Sequence, residues 1–474
     1  MTDPVPFDDP GPLVPRPQGR ARRIATVVIL VLLIVSMVFL AFVSGRGLIT
    51  PAPAVPDQPG PTLPEAGGSA RPPGTPRARL AIVDASGRLI TSDVAGHTSA
   101  PLGIAGVTYS FPAWSPEGRR IAVIGDDAGT GVIHVFGVGQ DGSAPSGPVA
   151  VYDSGDRPPF YLYWSPDGTR LSFLTTEPDG GVALRVAPAD ASTTAGLVRQ
   201  GEPMYWAWTD AGSLLVHSGG DAADAFVGVI GLDGVPVGPS VARSGGFRTP
   251  AITADGAFRG YVAPGGPTAD QVVVETRDGS GRHAVDVDGA AAMDFSPTTS
   301  DLAFIARDAP GGQTSLPIGS LRVLSAPTGD VRVMLAGPVV AFFWSPDGRT
   351  LAALEIGQPS DGTIAGLDGE VTARLVRAPL AAPVPGIALR LVFVDATSGA
   401  ILSKRGIRLA DLFAAQQLPY FDQYALSHRI WSPDSRSIAL PVDDADGTSG
   451  IEIFPSDGSD TTRVADGVAA AWSP

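Results

Sequence analysis

From residue 80 onward the chain repeats one short pattern: an apolar strand ending in a bulky anchor, a Ser-Pro-Asp-Gly-like turn, and a second apolar strand. The copies read FPAWSPEGRRIAVI (111–124), YLYWSPDGTRLSFL (161–174), YWAWTDAGSLLVHS (205–218), TPAITADGAFRGYV (249–262), AMDFSPTTSDLAFI (292–305), AFFWSPDGRTLAAL (341–354) and HRIWSPDSRSIALP (428–441). An eighth, AAAWSP (469–474), stops after its turn has begun. The anchors are Trp114, Trp164, Trp208, Ile252, Phe295, Trp344, Trp431 and Trp472, spaced by 50, 44, 44, 43, 49, 87 and 41 residues. All but one of these intervals match a four-stranded propeller blade.

The unit explains its own composition. The anchor offers a large apolar surface for packing between neighbouring sheets. In the copy at 164–168, Pro166 presets φ for the second turn position, Asp167 suits the third, and Gly168 can adopt positive φ. Ser165 can bond the turn amides, and Leu171 to Leu174 continue as an alternating strand. Two further strands complete each unit, such as 131–138 and 148–154. Residues 80–103 supply three strands with no anchor strand before them, and 469–474 supply an anchor strand with nothing after it. Pairing the two closes a ring and hides its sheet edges. The expectation is an all-β propeller of about eight four-stranded blades. Seven is the alternative, if the degenerate unit around Ile252 or Phe295 is not a full blade.

The WSPDG pattern followed by an apolar strand resembles the WD-repeat-like propeller units of TolB, a periplasmic protein of the Tol system, and those of tricorn-type proteins and prolyl oligopeptidases. The resemblance spans about residues 80–474 and is best at 114–118, 164–168, 344–348 and 431–434; 252–256 and 295–299 have drifted. It implies the propeller fold and says little of function. There are departures from each relative. TolB is soluble and has fewer blades plus a separate N-terminal domain, whereas the prolyl oligopeptidases add a hydrolase domain for which no sequence is left over here.

Ahead of the repeats lies a different composition. Residues 24–43 are twenty residues without a charge, long enough as a helix to cross a bilayer's hydrocarbon core of roughly 30 Å. Arg16, Arg20, Arg22 and Arg23 precede this span and only Arg46 follows closely, which places the N-terminus in the cytoplasm and the repeats outside it. A cleaved signal peptide is the alternative, but the span is longer than such segments and no small-residue cleavage site follows directly. The organisation expected is a disordered cytoplasmic tail (1–23), a transmembrane helix (24–43), a Pro/Gly-rich stalk (44–79) and the propeller (80–474). The stalk's nine prolines between 51 and 79 favour an extended chain.

Charge and residue usage exclude several function classes. With 48 acidic residues against 33 basic and a net charge of −15, the chain lacks the basic stripe that nucleic acid requires. Cysteine is absent, so disulfides, thiolate metal sites, a cysteine nucleophile and a lipidated cysteine are all excluded. Asparagine is absent too, which removes N-glycosylation, and Lys404 is the only lysine. GVGQDG (137–142) fits a dinucleotide fingerprint in spelling only, because a loop and a strand follow it rather than a helix. No G-x-S-x-G elbow occurs. His97, His134, His217, His283 and His428 are scattered over different units. DDADG (443–447) lacks a calcium-loop register. Asp126, Asp127, Asp167, Asp347 and Asp434 are turn formers first, although a propeller channel can gather such carboxylates around a metal.

The 87-residue interval holds two insertions, 357–388 and 405–427. Within the second, 409–427 begins with helical spacing and carries Phe413, Tyr420, Phe421 and Tyr424. Rim insertions commonly carry binding, so these four aromatics are the candidate partner surface, with a lid packed on the propeller's own face as the alternative. No catalytic, cofactor or metal residue is assigned. The leading expectation is a membrane-anchored, extracytoplasmic, non-catalytic platform for an envelope protein or peptide. The alternatives are a metal-dependent hydrolase acting in the channel and a sensor ectodomain.

Overall fold

A computed structural model describes residues 78–474 apart from 100, 140–141, 145, 220–224, 239–248, 265–269, 308–316, 358–388 and 445–446. The tail 1–23, the apolar span 24–43, the stalk as far as residue 77 and the insertion from residue 358 to 388 lie outside the described residues. Among the described residues no helix is long and apolar enough to cross a membrane.

The described chain is almost entirely antiparallel sheet. The first sheet joins Arg79–Val83 and Leu89–Asp93 to the last strand, Ala469–Trp472. Leu80 pairs with Trp472 and Val83 with Ala469, so the two ends of the repeat region share one sheet. This sheet takes two strands from residues 80–103 rather than three; beyond Asp93 only an isolated bridge forms, between Ser92 and Thr98. The second sheet is Val107–Trp114, Arg120–Asp127, Thr130–Gly137 and Val149–Ser154. The third is Pro159–Trp164, Arg170–Thr176, Val182–Pro188 and Gly196–Gln200. Met204–Asp210, Ser213–Ser218 and Phe226–Gly231 form the fourth. A ten-stranded sheet runs from Ala251–Ile252 to Ile401–Ile407, and Ser437–Asp443, Ser449–Pro455 and Thr462–Asp466 form the last. Two long strands of the ten-stranded sheet each serve two hairpins. Arg282–Phe295 pairs backward through Val287 and forward from Asp288, and Val331–Trp344 changes partner at Val339.

Packing shows how the sheets are arranged. Ala81, Val83 and Leu89 of the first sheet share a core with Val107, Trp114 and Ile121 of the second. Leu80, Ile82 and Trp472, on its other face, share a core with Ile451, Ile453 and Val464 of the last. Each sheet therefore packs face to face with the next, and the last with the first: a closed ring of radial sheets, which is a β-propeller. Second strands such as Arg170–Thr176 are buried along most of their length, whereas outer strands such as Ile401–Ile407 are largely exposed.

The anchors do more than fill space. The Trp114 indole donates to the Ala471 carbonyl at 3.0 Å, Trp164 to Ala113 at 3.0 Å, Trp344 to Asp294 at 3.2 Å and Trp431 to Phe343 at 3.1 Å. In every case the acceptor is the residue just before the preceding anchor, on the preceding copy of the repeat. Trp208 reaches its equivalent indirectly: its indole donates to Ser172 Oγ at 3.1 Å, and Ser172 Oγ donates to the Tyr163 carbonyl at 3.0 Å. These indoles thus bind the free edge of the preceding copy's first strand, and a buried polar group is satisfied on both sides; the buried Trp472 indole has no such acceptor.

The turns hold as their residues require. Ser165 Oγ accepts the Arg170 amide at 3.0 Å and donates to Asp167 Oδ1 at 2.6 Å, while Gly168 sits at φ +69°. The drifted copy keeps this chemistry, with Thr253 Oγ1 donating to Asp255 at 2.6 Å and Gly256 at φ +68°. Turns of successive copies also touch: Arg120 donates to the Gly168 carbonyl at 2.7 Å and Thr298 to that of Asp347 at 3.2 Å. They form one face of the ring.

Candidate functional site

The segment 409–428 occupies the axis of the ring. It enters alongside Ser437–Asp443, where the Ala410 amide donates to the Pro441 carbonyl at 2.9 Å. It then turns through Phe413–Gln417 and Leu418–Tyr420, with Pro419 ending the first turn, into the short helix Phe421–Ala425. Its contacts reach around the ring. The Phe421 ring packs on Phe342 and Phe343 at 5.4 and 5.7 Å. Asp422 Oδ2 accepts the Thr249 amide at 3.2 Å. Tyr424 packs on Tyr161 at 5.1 Å and on Phe111 at 5.4 Å. These partners lie on or beside the first strands of successive sheets. One short segment can meet them all only where those strands converge, on the axis.

Gln423 is the hinge pin of this arrangement. Its side-chain amide accepts the Trp206 N–H at 3.1 Å and donates to the Trp206 carbonyl at 3.0 Å. The amide thereby caps a strand edge that has no neighbour, matching both donor and acceptor. Its own carbonyl accepts the Tyr161 hydroxyl at 2.7 Å. His428 closes the cluster. Its Nδ1 lies 2.6 Å from Ser427 Oγ, and its ring packs edge-on to Phe111 and Tyr424. Burial in these aromatics pushes the imidazole down to about 4, so it is neutral at physiological pH.

The four aromatics expected at a partner surface are turned inward. Phe413 and Phe421 are buried, and Tyr420 and Tyr424 are half-buried. The physical reason is the apolar area offered by Phe342, Phe343, Tyr161 and Phe111, on which the Phe421 and Tyr424 rings pack. The contacts are those of a lid on the propeller's own inner strands.

The residues just before the anchors are mostly small or apolar, with few exceptions. The position before each anchor is occupied by Ala113, Tyr163, Ala207, Ala251, Asp294, Phe343, Ile430 and Ala471. Asp294 and Tyr163 break the small or apolar pattern, and Arg429 stands one residue further back in its copy. Asp294 and Tyr163 are half-buried and Arg429 is exposed, yet burial moves the ionisation of all three. Burial, with the Asp422 charge nearby, pushes the Asp294 carboxyl up to about 7. Burial also raises the Tyr163 hydroxyl; Asp294 adds to that and Arg429 opposes it. Burial lowers the Arg429 guanidinium.

The remaining residues singled out from sequence are held by their own surroundings. His97 pairs with Asp93 at 3.0 Å, His134 bonds the Tyr109 hydroxyl at 3.0 Å and His217 stacks on Tyr205. Among the described residues no group of three His, Asp or Glu side chains could hold a metal. Gly139 and Gly142 form a turn, with the Gly142 amide donating to the Gly139 carbonyl. Asp444 of the DDADG stretch pairs with Arg463.

No family model and no curated protein matches the chain. Among solved structures it is similar to a eukaryotic initiation factor, at 12% identity and TM-score 0.45, over 84% of this chain and 99% of that one. It is similar to TolB from Acinetobacter baumannii at 12% identity and TM-score 0.36, over 79% of this chain and 68% of that one. A prolyl endopeptidase is matched at 10% identity and TM-score 0.48, over 76% of this chain and 50% of that one. At these values the likenesses decide nothing about activity, and the propeller rests on the ring closure and the sheet packing described above.

Proposed function

We propose that the chain is a non-catalytic protein-binding platform of the cell envelope. It would be an eight-bladed propeller held outside the cytoplasm by residues 24–43 and a Pro-rich stalk. The blade count is supported by dividing the ten-stranded sheet at its two partner changes into three units, which join the five other sheets. The membrane assignment is supported by the uncharged span and the arginines before it.

The observation that carries the binding role is an exposed apolar patch on adjoining outer strands. Val331 and Val333 are 42% and 59% exposed, and Ile401 and Leu402 are 52% and 47% exposed. The turn leading into Ile401–Ile407 lies against Val333, where Arg332 donates to the Thr397 carbonyl at 2.7 Å. Contiguous exposed apolar surface on a sheet edge marks an interaction site. The partner is a protein whose apolar face covers this patch. Crosslinking the full chain in its own membranes, then comparing it with a Val333→Glu, Ile401→Glu double variant, tests the proposal. The crosslinked partner should disappear in the variant; unchanged recovery from a normally folded variant sinks it. Loss of membrane retention on deleting 24–43 checks the anchor separately. A channel enzyme is the second possibility, favoured by one observation, the half-buried Asp294 carboxyl pushed up to about 7 by burial.

A further inference from the structure

The axial segment is attached at both ends to one strand. At its start Leu409 bridges Val442, and the Ala410 amide donates to the Pro441 carbonyl at 2.9 Å. At its end the Ala439 amide donates to the Ile430 carbonyl at 2.8 Å, and Trp431 bridges Ile438. Residues 411–429 therefore leave one edge of Ser437–Asp443 and return to it, as a loop whose ends lie close together. Among the described residues no sheet is paired through that excursion. Met204–Asp210 keeps its register with Ser213–Ser218 independently of it, and the ring closes through Leu80 and Trp472.

The loop has little structure of its own to hold it. It strings together a π-helical turn (Phe413–Gln417), a 3₁₀ turn (Leu418–Tyr420) and a short α-helix (Phe421–Ala425), and no side chain caps any of them. Isolated turns of this kind are marginal in water. Beneath the loop, Thr249 is buried with its amide on Asp422, and its hydroxyl finds no hydrogen-bond partner among the described residues. Elements with few local supports open while the rest of a protein stays folded.

The groups under the loop are matched by what the loop presents to them. The Gln423 side chain exchanges with Trp206 the pair of bonds, N–H to oxygen in both directions, that a residue of an adjoining antiparallel strand would exchange. It also donates to the Tyr161 hydroxyl at 3.2 Å. On one side of it Phe421 packs on Phe342 and Phe343, and on the other Tyr424 packs on Tyr161 and Phe111. A free strand edge between two aromatic seats suits a carboxamide flanked by aromatic rings.

We propose that the Trp206 edge is a ligand site and that residues 411–429 are its displaceable occupant. The ligand is a peptide segment of another protein, carrying a glutamine with an aromatic residue close on either side, and it takes the edge when the loop opens. Trp206 is fully buried under the loop, so the site is presented only in the opened form. The loop then sets a threshold on binding, because apparent affinity is reduced by the fraction of time the site is open. The site is separate from the apolar patch on the outer strands, so failure of one reading leaves the other standing.

Hydrogen exchange on the full-length chain in detergent micelles reads the opening. The Ser427 and His428 amides are buried and bonded to the Tyr424 carbonyl. They should exchange at least about tenfold faster than the amides of Arg170–Thr176. Equal protection would make the loop part of the permanent core and overturn the proposal. The occupant is tested with a synthetic peptide copying residues 417–428, N-acetylated and C-amidated, and a second copy with alanine for the glutamine at 423. The wild-type chain should bind the glutamine peptide at least about tenfold more tightly than the alanine one. A Phe421→Ala, Gln423→Ala double variant, whose own occupant is weakened, should bind the glutamine peptide at least about tenfold more tightly than the wild type does. Absence of binding to both chains at millimolar concentration overturns the proposal, as does equal binding of the two peptides. If the double variant does not fold, exchange and peptide preference in the wild type still decide.

Discussion

The repeated hairpin and the axial segment satisfy their polar groups in opposite ways. At 164–170 the bonds are local: Ser165 to Arg170, Asp167 to Thr169, and one indole to the next sheet. At 421–428 they cross the molecule. Gln423 bonds Trp206 and Tyr161, residues 217 and 262 positions away, and Asp422 bonds Thr249 at a distance of 173. The hairpin can take shape from its own sequence. The axial segment has no place to sit until the ring has closed. A propeller thus combines a self-sufficient repeat with one element whose structure is written by all the others.

Substitutions in the two regions should differ in size and in kind. The largest effect belongs to the anchors. Trp164 is 3% exposed and bonds Ala113, and Arg120 stacks over its ring at 4.9 Å. Trp164→Ala should cost about 3–5 kcal/mol by emptying a buried aromatic site. Trp164→Phe should cost only about 1–2 kcal/mol, the ring being kept and the Ala113 carbonyl orphaned. A Trp164→Phe variant that melts with the wild type in denaturant would show that the indole bond contributes nothing.

The next effect separates the axial segment from the repeats by pH. His428 is neutral and buried among Phe111, Tyr161, Tyr424 and Ser427, with its ionisation lowered from 6.5 to about 4. The unfolded chain therefore binds this proton first. The stability held above pH 6.5 falls as pH drops, and the loss is complete below about 4, on the order of 3 kcal/mol. Turn carboxylates such as Asp167 and Asp395 have lowered values, so their contribution is lost only at more acidic pH. Over the same window Asp294, raised to about 7, gains stability as pH falls, so the histidine is read from the difference between wild type and His428→Phe. That difference should change by about 3 kcal/mol between pH 6.5 and 4; a difference independent of pH would remove the histidine from the account.

What could be read from sequence follows the same division. The anchors, the turns and the pairing of 469–472 with 80–83 were all legible, because each depends on residues near one another or on the count of repeats. The inward fate of Phe413, Tyr420, Phe421 and Tyr424 was not. An amphipathic segment with aromatics looks the same whether a partner or its own fold covers it. Gln423 and His428 carry no local signature at all. Asp294 did carry one, standing where four copies have alanine, but its meaning depends on which side of the strand faces the axis.

A smaller effect tests whether the indole clasp needs its usual geometry. Ser172 Oγ accepts both the Trp206 and Trp208 indoles, at 3.0 and 3.1 Å, and passes the bond to Tyr163. Ser172→Ala leaves two buried donors unpaired and should cost about 2–3 kcal/mol. Ser165→Ala removes a buried hydroxyl whose partners Asp167 and Arg170 stay open to water, and should cost about 1 kcal/mol. If the two variants unfold at the same denaturant concentration, the relay is not holding the third and fourth sheets together.

The smallest effect concerns a turn that departs from the pattern. In WSPDS (431–435) Ser435 takes the place of glycine and keeps its conformation, with φ +62°. A side chain there costs about 1 kcal/mol relative to glycine. Ser435 offsets this by accepting the Asp347 amide at 3.0 Å, a bond from the turn of the preceding copy. Ser435→Gly removes the strain and the bond together and should leave stability within about 0.5 kcal/mol of wild type. Ser435→Ala keeps the strain and loses the bond, and should cost about 1 kcal/mol. Were the alanine variant as stable as the wild type, the contact between these turns would carry no energy, and the ring's turn face would be held by the strands beneath it alone.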